Sequence, residues 1–407
     1  MANKKITIVA MLVLMAATMS SAYGQQNIVL GQDRTRNVIT TAVPSLMIGP
    51  DSRIGAMGEA GVALLNDINA QHWNPSKYAF MENPFGAGFS FSPWLAGLGC
   101  NDIYLAYLAG YARSDKMGAI SFSLRYFSMG EMELTDDQGG SLGIVHPNEL
   151  GIDAGYSRKL LDDFSMAVSF RFIYSDLSRG REGEIKPGMT GAADVAFFYV
   201  KDLKANRVES SKISWGLNLS NIGGKISYST TLYRSFIPTN FRTGIAYELG
   251  IDKYNKITFV FDLNKLLVPT PPLYGRDSIT NNLVIMGGRT EYADHYMNVS
   301  PAEALIKSWY DAPRGFGEEM EEFIQNFGLE YGYNDVFFIR TGFFNEAKTK
   351  GNRKYITFGV GLKYSMFAID AAYILPVNSR NHPLENTLRF SLTFDFFTKN
   401  NKTHKKS

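Results

Sequence analysis

The sequence is poor in cysteine, in net charge and in long apolar runs. Its 407 residues include one cysteine, Cys100, which excludes an internal disulfide and a zinc site built from several cysteines. The net charge is +2, and no basic stripe or aromatic RNA-binding motif is present, which argues against a nucleic-acid partner. After the N-terminal region, no uncharged apolar run reaches the length of a membrane-spanning helix, so helical membrane proteins are excluded as well.

The N-terminal region has the three parts of an export signal. Lys4 and Lys5 precede an apolar run from Ile6 to Ala17, and small residues follow as far as Gly24. This order predicts a cleaved signal peptide over residues 1–24 rather than a membrane anchor, because the apolar run is too short to cross a bilayer. An exported chain without spanning helices is either soluble outside the inner membrane or a β-barrel.

Aromatic residues and a period-two pattern favour the barrel. Aromatics make up 13% of the chain and charged residues only 20%, as in a wall that faces lipid. In the segment 120–126, apolar residues alternate with serines and an arginine, which places one face in lipid and one in water. Five further segments follow the same rule, and less regular runs complete fourteen predicted strands: 85–95, 101–112, 117–129, 148–160, 163–176, 188–200, 211–221, 236–249, 254–268, 326–334, 336–346, 353–363, 365–375 and 387–397.

Connection lengths give a second argument for a closed all-β transmembrane barrel. Short connections at 113–116, 161–162 and 250–253 alternate with long ones such as 130–147 and 269–325, and only 201–210 departs from the rule. Outer-membrane barrels alternate short periplasmic turns with longer external loops, and an even number of antiparallel strands leaves no unpaired edge. The pattern predicts an outer-membrane protein of a Gram-negative bacterium with both termini in the periplasm.

The stretch before the first strand predicts a hatch inside the barrel. Residues 42–80 combine regularly spaced glycines with prolines and with asparagine and aspartate, which favour turns over strands or long helices. Fourteen strands enclose more space than their own side chains fill, so this segment is expected to rest on charged residues that face the lumen. An ordinary glycine-rich linker is the alternative, and lumen charges often only pair with one another. The candidate hatch residues are Pro50, Asp51, Arg53, Gly55, Gly58, Gly61, Asn74 and Pro75, and the lumen-facing candidates are Arg125, Arg171, Asp262, Arg389 and Asp395.

The predicted organisation therefore has four parts. Residues 1–24 are the signal peptide, residues 25–84 an N-terminal periplasmic extension with the hatch, residues 85–397 the transmembrane barrel, and residues 398–407 a polar basic tail. Within the barrel, residues 269–325 form a long extracellular loop with a short helix near Ala302 to Tyr310.

Several motifs carry a family resemblance. The run PDSRIGAMGEAGVALLNDINAQHWNPSKYAF resembles the N-terminal hatch of the FadL-like outer-membrane barrels, with its small-residue glycine run followed by an Asn-Pro pair. Together with TTAVPSLMIG, SPWL, SLRYFSMG and PNELGIDAGYSRKL, it more closely resembles the PorV family of type IX secretion outer-membrane proteins. The likeness extends from about Thr40 to the last strand and is weakest over 269–325.

The resemblance implies a barrel without catalysis or cofactor. Members of that family are held to bind the C-terminal signal domain of cargo proteins that leave a giant outer-membrane translocon barrel, and to carry them to a sortase-like attachment complex; outer-membrane lipid surrounds them. Trp309, Tyr310 and Phe316 in the long loop are the candidate partner-binding residues, because exposed aromatics concentrate binding energy. Packing of these rings onto the barrel rim is the alternative.

The sequence gives weaker support to other functions. A FadL-like transporter of long-chain fatty acids or other hydrophobic small molecules needs an apolar pocket continuous with the lumen, whereas the expected lumen positions are polar. Ser141, His146 and Glu149 are the nearest approach to a catalytic triad, in a polar loop where such grouping arises by chance. The acidic run from Glu318 to Glu322 lacks the spacing of a calcium loop and is expected to be a solvated helix face.

Overall fold

A computed structural model gives the fold of the chain. It describes residues 36–95, 100, 102–177, 186–204, 208–228, 234–276, 283–286, 298–377, 384 and 387–396. The expected signal peptide and the basic tail lie outside the described residues.

Fourteen antiparallel strands close into a barrel, as the alternation predicted. Each strand pairs with its neighbours in chain order, and the first strand closes the sheet by pairing with the last, from Phe85 opposite Phe396 to Phe91 opposite Phe390. The strands of the barrel are β1 (Phe85–Pro93), β2 (Ile103–Ser114), β3 (Gly118–Met129), β6 (Asn148–Leu161), β7 (Phe164–Asp176), β8 (Gly188–Asp202), β9 (Ser210–Gly223), β10 (Asn240–Gly250), β11 (Asn255–Leu266), β14 (Ile324–Tyr333), β15 (Phe337–Asn345), β16 (Lys354–Tyr364), β17 (Phe367–Pro376) and β18 (Leu388–Phe396).

Two short hairpins lie within the long connections and were not predicted. One pairs β4 (Met132–Thr135) with β5 (Ser141–Val145), and the other pairs β12 (Leu273–Arg276) with β13 (Leu283–Met286). Strands of four or five residues carry too few alternating positions to be distinguished from loop sequence.

Alternation along each strand sorts the side chains of the wall. Phe170 is 68% exposed on the outer face, whereas its neighbour Arg171 is buried on the inner face. Phe390 and Arg389 form a second pair of this kind on β18. Successive residues of a strand point to opposite faces, so a single register decides which residues meet lipid and which meet the interior.

Helices are few and short. Within the described residues, the α-helices are α1 (Ser52–Gly55), α2 (Ala70–Trp73), α3 (Pro301–Lys307) and α4 (Phe316–Glu321), and 3-10 turns span Pro44–Met47 and Pro75–Phe80. None of the helices in the described part of the chain is both long and apolar enough to cross a membrane.

The two ends of the barrel differ in their connections. Strands are joined at one end by short turns such as 115–117, 334–336 and 365–366, and at the other by long connections such as 130–147 and 267–323. We call these the turn end and the loop end. We call the described residues of the second of these long connections, 267–276, 283–286 and 298–323, the mouth loop.

The start and the end of the described chain lie at opposite ends of the barrel. The backbone N–H of Asn37 donates to Thr349 O (2.8 Å) in the connection between β15 and β16, which belongs to the loop end. The last described residue, Phe396, ends β18 at the turn end. The first described residues thus lie at the loop end, whereas the two termini themselves lie outside the described residues, so their expected place in the periplasm stays a prediction. The period-two pattern placed the strands but carried no information on the path of the chain before them.

Candidate functional site

The residues between the loop end and the first strand form a compact segment among the inward-facing side chains. We call residues 44–80 the lumen segment. Asp51 begins α1, since its Oδ2 accepts from Ile54 N (2.9 Å), and its Oδ1 accepts from the indole Nε1 of Trp73 (2.6 Å) in α2. Pro50 precedes this cap and is buried. One carboxylate thus holds the two short helices of the segment together.

Arg53 ties the lumen segment to the wall through paired charges. Its Nε and NH2 donate to the two oxygens of Glu330 on β14 (3.0 and 2.9 Å). Glu330 also accepts from Arg340 Nε (2.5 Å), and Arg340 NH1 donates to Asp370 (2.6 Å). The charges of two arginines and two carboxylates balance one another. This pairing offsets the free-energy cost of removing the four side chains from water.

Gly58 is the point of closest approach between the segment and the wall. Its N–H donates to Thr357 Oγ1 (2.9 Å), and its carbonyl accepts from Asn326 Nδ2 (2.6 Å). Its φ of +66° lies in the left-handed region, and a Cβ there would come within 2.6 Å of Phe327 O. On the wall, a Cβ at Gly342 would in turn collide with the backbone of Gly58. Glycine on both sides is required for this contact.

Three of the charged residues expected in the lumen contact the segment. Asp262 accepts from the backbone N–H groups of Gly61 and Val62 (2.6 and 2.9 Å). Arg389 NH2 donates to Glu59 (2.8 Å) and lies against Gly55 of α1. Arg125 NH1 donates to the carbonyls of Ser45 and Ile48 (2.7 and 2.9 Å).

The other two expected lumen residues have different partners. Arg171 pairs with Asp153 (2.5 Å) and Asp194 (3.1 Å), which lie on the neighbouring strands β6 and β8. Asp395 accepts from Tyr111 OH (3.3 Å) near the turn end. The interior therefore contains charges that hold the segment and charges that pair strand with strand.

Asn74 and Pro75 organise the end of the segment. Pro75 begins a 3-10 turn, and Asn74 caps it by accepting from Ser76 N (3.1 Å). The Asn74 amide group donates to Val62 O and to Phe197 O of the wall, both at 3.0 Å. The Asn-Pro pair thus starts a turn and at the same time connects two parts of the lumen segment to β8.

The mouth loop presents the aromatic residues singled out in the sequence. Helix α3 begins at Ser300, whose Oγ accepts from Glu303 N (3.2 Å). The Trp309 ring packs edge-on against Phe241 on the outer face of β10 (5.2 Å between centroids), and it is 40% exposed. Tyr310 is 46% exposed and Phe316 is 79% exposed. Trp309 is thus partly used in packing, whereas Phe316 is presented to solvent.

The acidic helix α4 is not a solvated face, so that expectation is wrong. Glu318, Glu319 and Glu322 are at most 6% exposed. Lys350 Nζ donates to Glu318 (2.6 Å) and Glu322 (2.9 Å), and Lys265 Nζ donates to Glu319 (3.0 Å) and also to Glu322. Lysines from β11 and from the connection before β16 draw the helix onto the barrel end. Neither lysine is near the helix in sequence, which is why the pattern of the helix alone misled.

Asp311 completes this buried cluster. Its Oδ2 accepts from Thr270 N (3.1 Å). Asp311, Glu319 and Glu322 each contribute one carboxylate oxygen to a group in which all three oxygens lie within 4.8 Å of one another. Burial, together with the charges of Glu322 and Glu319, raises the pKa of Asp311 to about 7. Because Lys265 and Lys350 already donate to the glutamates, the cluster is a lysine–carboxylate network, and we assign no metal to it.

The grouping of Ser141, His146 and Glu149 does not assemble a triad. His146 Nδ1 lies 4.0 Å from Glu131, and Glu149 accepts from the backbone N–H of Ser45 (3.3 Å) at the start of the lumen segment. Glu149 therefore serves the segment rather than a histidine.

Comparison with known families decides the identity. The family model described as "Type IX secretion system protein PorV" matches residues 31–273, which is more than half of the chain. The chain belongs to the PorV family. The match includes the whole lumen segment and the barrel as far as β11, and it places this PorV-family barrel in the outer membrane and in the context of type IX secretion. The family is not one of enzymes.

Two solved structures resemble the chain at low sequence identity. A TodX variant described as a monoaromatic hydrocarbon channel (deltaS2S3 mutant) is 11% identical, with a TM-score of 0.51, over 86% of this chain and 99% of that one. The toluene transporter TbuX of Ralstonia pickettii is 13% identical, with a TM-score of 0.47, over 86% and 98%. No curated protein matches the chain by sequence. At this identity the likeness to the TodX variant extends to the barrel fold alone.

Several contacts of this PorV-family barrel escaped the sequence reasoning. Glu330, Thr357, Asn326 and Asn218 all bind the lumen segment, the last through Trp73 O (3.0 Å). None of the four was among the lumen-facing candidates, although each is a polar residue within one of the predicted strands. Which inward-facing residue meets which part of the segment required the closed barrel.

Proposed function

We propose that this barrel binds the C-terminal signal domain of secreted cargo at its loop end, and carries the cargo from the translocon barrel to the surface attachment complex. The observation that carries this proposal is an exposed apolar group on the mouth loop. Ile306, Tyr310, Phe316 and Met320 are 66%, 46%, 79% and 51% exposed. Large apolar side chains held at the surface of one loop are typical of a protein-binding site.

The way α4 is held supports the same proposal. The carboxylates of Glu318 and Glu319 are buried against Lys350 and Lys265, while the apolar side chains of the same helix are exposed. Buried ion pairs fix the orientation of the helix, so its apolar side is presented without a large cost of ordering on binding. A rigid scaffold that displays a loop is a common arrangement for recognition.

We also propose that the lumen segment closes the barrel to solutes. The support is its contact with the wall along its length, from Ser45 at Arg125 to Ser76 at Ser165. A closed lumen lets the barrel handle proteins at its loop end without making the outer membrane leak. The loop end then faces the cell exterior and the turn end the periplasm, as connection lengths in outer-membrane barrels suggest.

A binding experiment tests the cargo proposal. The double variant Y310S/F316S in the full-length, detergent-purified barrel is expected to bind an isolated cargo C-terminal domain about thirtyfold to several hundredfold more weakly, since each lost aromatic anchor contributes about 1 to 2 kcal/mol. The control is I144S, which removes a side chain that is 55% exposed on the β4–β5 hairpin of another connection. Equal affinities of the double variant and the wild type would contradict the proposal.

Transport of hydrophobic molecules is the competing function. An apolar depression of about 600 Å³ is lined by Ile245, Phe259 and Phe327 among other residues. These three side chains are exposed on the outer face of the strands, so the depression opens toward lipid and gives no support to a path through the lumen. Purification of the barrel from native outer membranes separates the two functions. Co-purified cargo and translocon support protein traffic, whereas a barrel that carries only fatty acid supports transport.

A further inference from the structure

The described chain begins with a short segment that crosses the loop end. We call residues 36–43 the strap. Asn37 is 4% exposed and makes three contacts there. Its backbone N–H donates to Thr349 O (2.8 Å), and its side-chain amide donates to Pro271 O and to Glu318 Oε1, both at 3.0 Å. One residue near the start of the described chain therefore contacts the connection before β16 and two places in the mouth loop.

The rest of the strap continues across the same end. Ile39 packs against a buried cluster of Phe236, Val268 and Ala304, which joins the connection before β10 to the mouth loop and its helix α3. Ala42 N donates to Phe236 O (2.8 Å). The strap thus lies between several loops and makes both polar and apolar contacts with the mouth loop.

The polar contact falls on the charge network that holds α4. Glu318 accepts from Asn37, from Lys350 Nζ (2.6 Å) and from Arg314 Nε (3.2 Å). A neutral amide donor fits this position, because it satisfies a further lone pair of the carboxylate without changing the balance of charge. An aspartate at position 37 would instead place a second negative charge against Glu318.

We propose that the strap lies on the cell-surface side of the outer membrane and acts as a latch. It holds the mouth loop against the loop end of the barrel, and we call this arrangement closed. The chain runs from the strap directly into the lumen segment and reaches β1 at the turn end, so one peptide joins the loop that presents Phe316 to the interior of the barrel. The latch deepens the proposed function, and its importance for cargo rests on that function. The latch contacts themselves do not.

Cysteine labelling on whole cells tests the side on which the strap lies. In a C100S background, V38C replaces a strap side chain that is 42% exposed, and Y364C replaces one that is 83% exposed at the turn end. A membrane-impermeant maleimide is expected to label V38C on intact cells and Y364C only after the outer membrane is permeabilised. Labelling of V38C only after permeabilisation would overturn the proposed display at the surface.

A reporter in the mouth loop tests the latch without cargo. Ala304 is 1% exposed, so A304C in the same background reacts with maleimide only when the mouth loop opens. N37D is expected to speed this labelling roughly tenfold, because like charges replace a hydrogen bond to a carboxylate. N37A should have a smaller effect in the same direction, and V38A, which alters an exposed side chain of the strap, should leave the rate unchanged.

The outcomes separate the latch from the cargo site. Unchanged A304C labelling in both N37D and N37A, in barrels that keep their heat-modifiable electrophoretic mobility, would overturn the latch. Equal acceleration by V38A would also overturn it, since the effect would then not depend on Asn37. Failure of the cargo proposal would be seen in the binding of the Y310S/F316S variant, and the labelling rates do not depend on that result.

Discussion

The lumen segment and the mouth loop place similar side chains in opposite settings. In the lumen segment Trp73 is fully buried and donates to Asp51, whereas in the mouth loop Phe316 leaves 79% of its surface exposed. Both regions are held by buried ion pairs, Arg53 with Glu330 in one and Lys350 with Glu318 in the other. The same type of interaction thus fixes an element inside the wall and fixes a platform for exposed residues at its end.

The difference lies in what surrounds the ion pairs. The wall contacts the lumen segment from several directions, so its backbone groups bond to strand side chains such as Asp262, Thr357 and Asn218. The described part of the mouth loop instead keeps large apolar side chains exposed, among them Ile306, Phe316 and Met320. A charge network of this kind can therefore position an element that the wall encloses as well as one that leaves apolar side chains exposed.

Deletion is the strongest way to separate the two regions. Removal of residues 44–75 is expected to raise the conductance of the barrel in a planar bilayer severalfold. The reason is that the fourteen strands enclose a space that their side chains alone do not fill. Removal of residues 301–321 from the mouth loop should leave the conductance near that of the wild type. Unchanged conductance after the first deletion would disprove closure by the lumen segment.

A single substitution at the closest contact should have the next largest effect. G58V is expected to destabilise the barrel by about 3 to 5 kcal/mol, because it combines a strained positive φ with a clash against the backbone of β14 and β15. The control is G317A in the mouth loop, where nothing lies within 4 Å of an added Cβ. Thermal unfolding in detergent measures both, and a similar unfolding temperature for the two variants would show that the contact is not tight.

Two glutamate substitutions compare the stabilising effect of an ion pair inside the wall with that of an exposed ion pair. E330Q leaves Arg53 and Arg340 with a neutral partner inside the wall and is expected to cost about 3 kcal/mol. E303Q removes a partner from the exposed pair with Lys307 in α3, and it should cost less than about 0.5 kcal/mol. Denaturant unfolding of both variants gives the two free energies, and equal costs would contradict the assigned difference in burial.

The smallest expected effect concerns the pH dependence of the mouth loop. Burial raises the folded-state pKa of Asp311 to about 7 from an ordinary value of 3.8, so the folded state holds this proton more tightly than the unfolded state. Stability of the loop therefore falls as pH rises from about 4 to about 7. We expect the wild-type loop to lose about 1 to 2 kcal/mol of stability between pH 5 and pH 8. The D311N variant, which has no carboxyl group at this position, should not show this loss.

Hydrogen exchange of α4 at the two pH values, corrected for the intrinsic exchange rate, measures that difference. D137N provides the control, because Asp137 is exposed in another connection. A wild-type loop whose stability is the same at both pH values would exclude a raised pKa at Asp311.

The strands of the wall could be predicted from short stretches of sequence. Alternation is a local property, since each residue of a strand points away from its two neighbours, so the number of strands, their approximate bounds and the inward position of Arg125 or Asp262 followed from runs of about ten residues. The Asn-Pro pair and the glycines likewise marked a segment that is neither strand nor long helix. The family likeness was carried by the same local motifs.

Which inward-facing groups meet depends on contacts between residues that are far apart in the chain. Arg53 and Glu330 are 277 positions apart, and Asn37 and Glu318 are 281 apart. Helix α4 looked solvated because Lys265 and Lys350, which bury its carboxylates, belong to other parts of the chain. The path of the N-terminal segment to the loop end depended on such contacts as well. Local periodicity fixes the direction of a side chain, but its partner is fixed only when the closed sheet brings distant strands around the same interior.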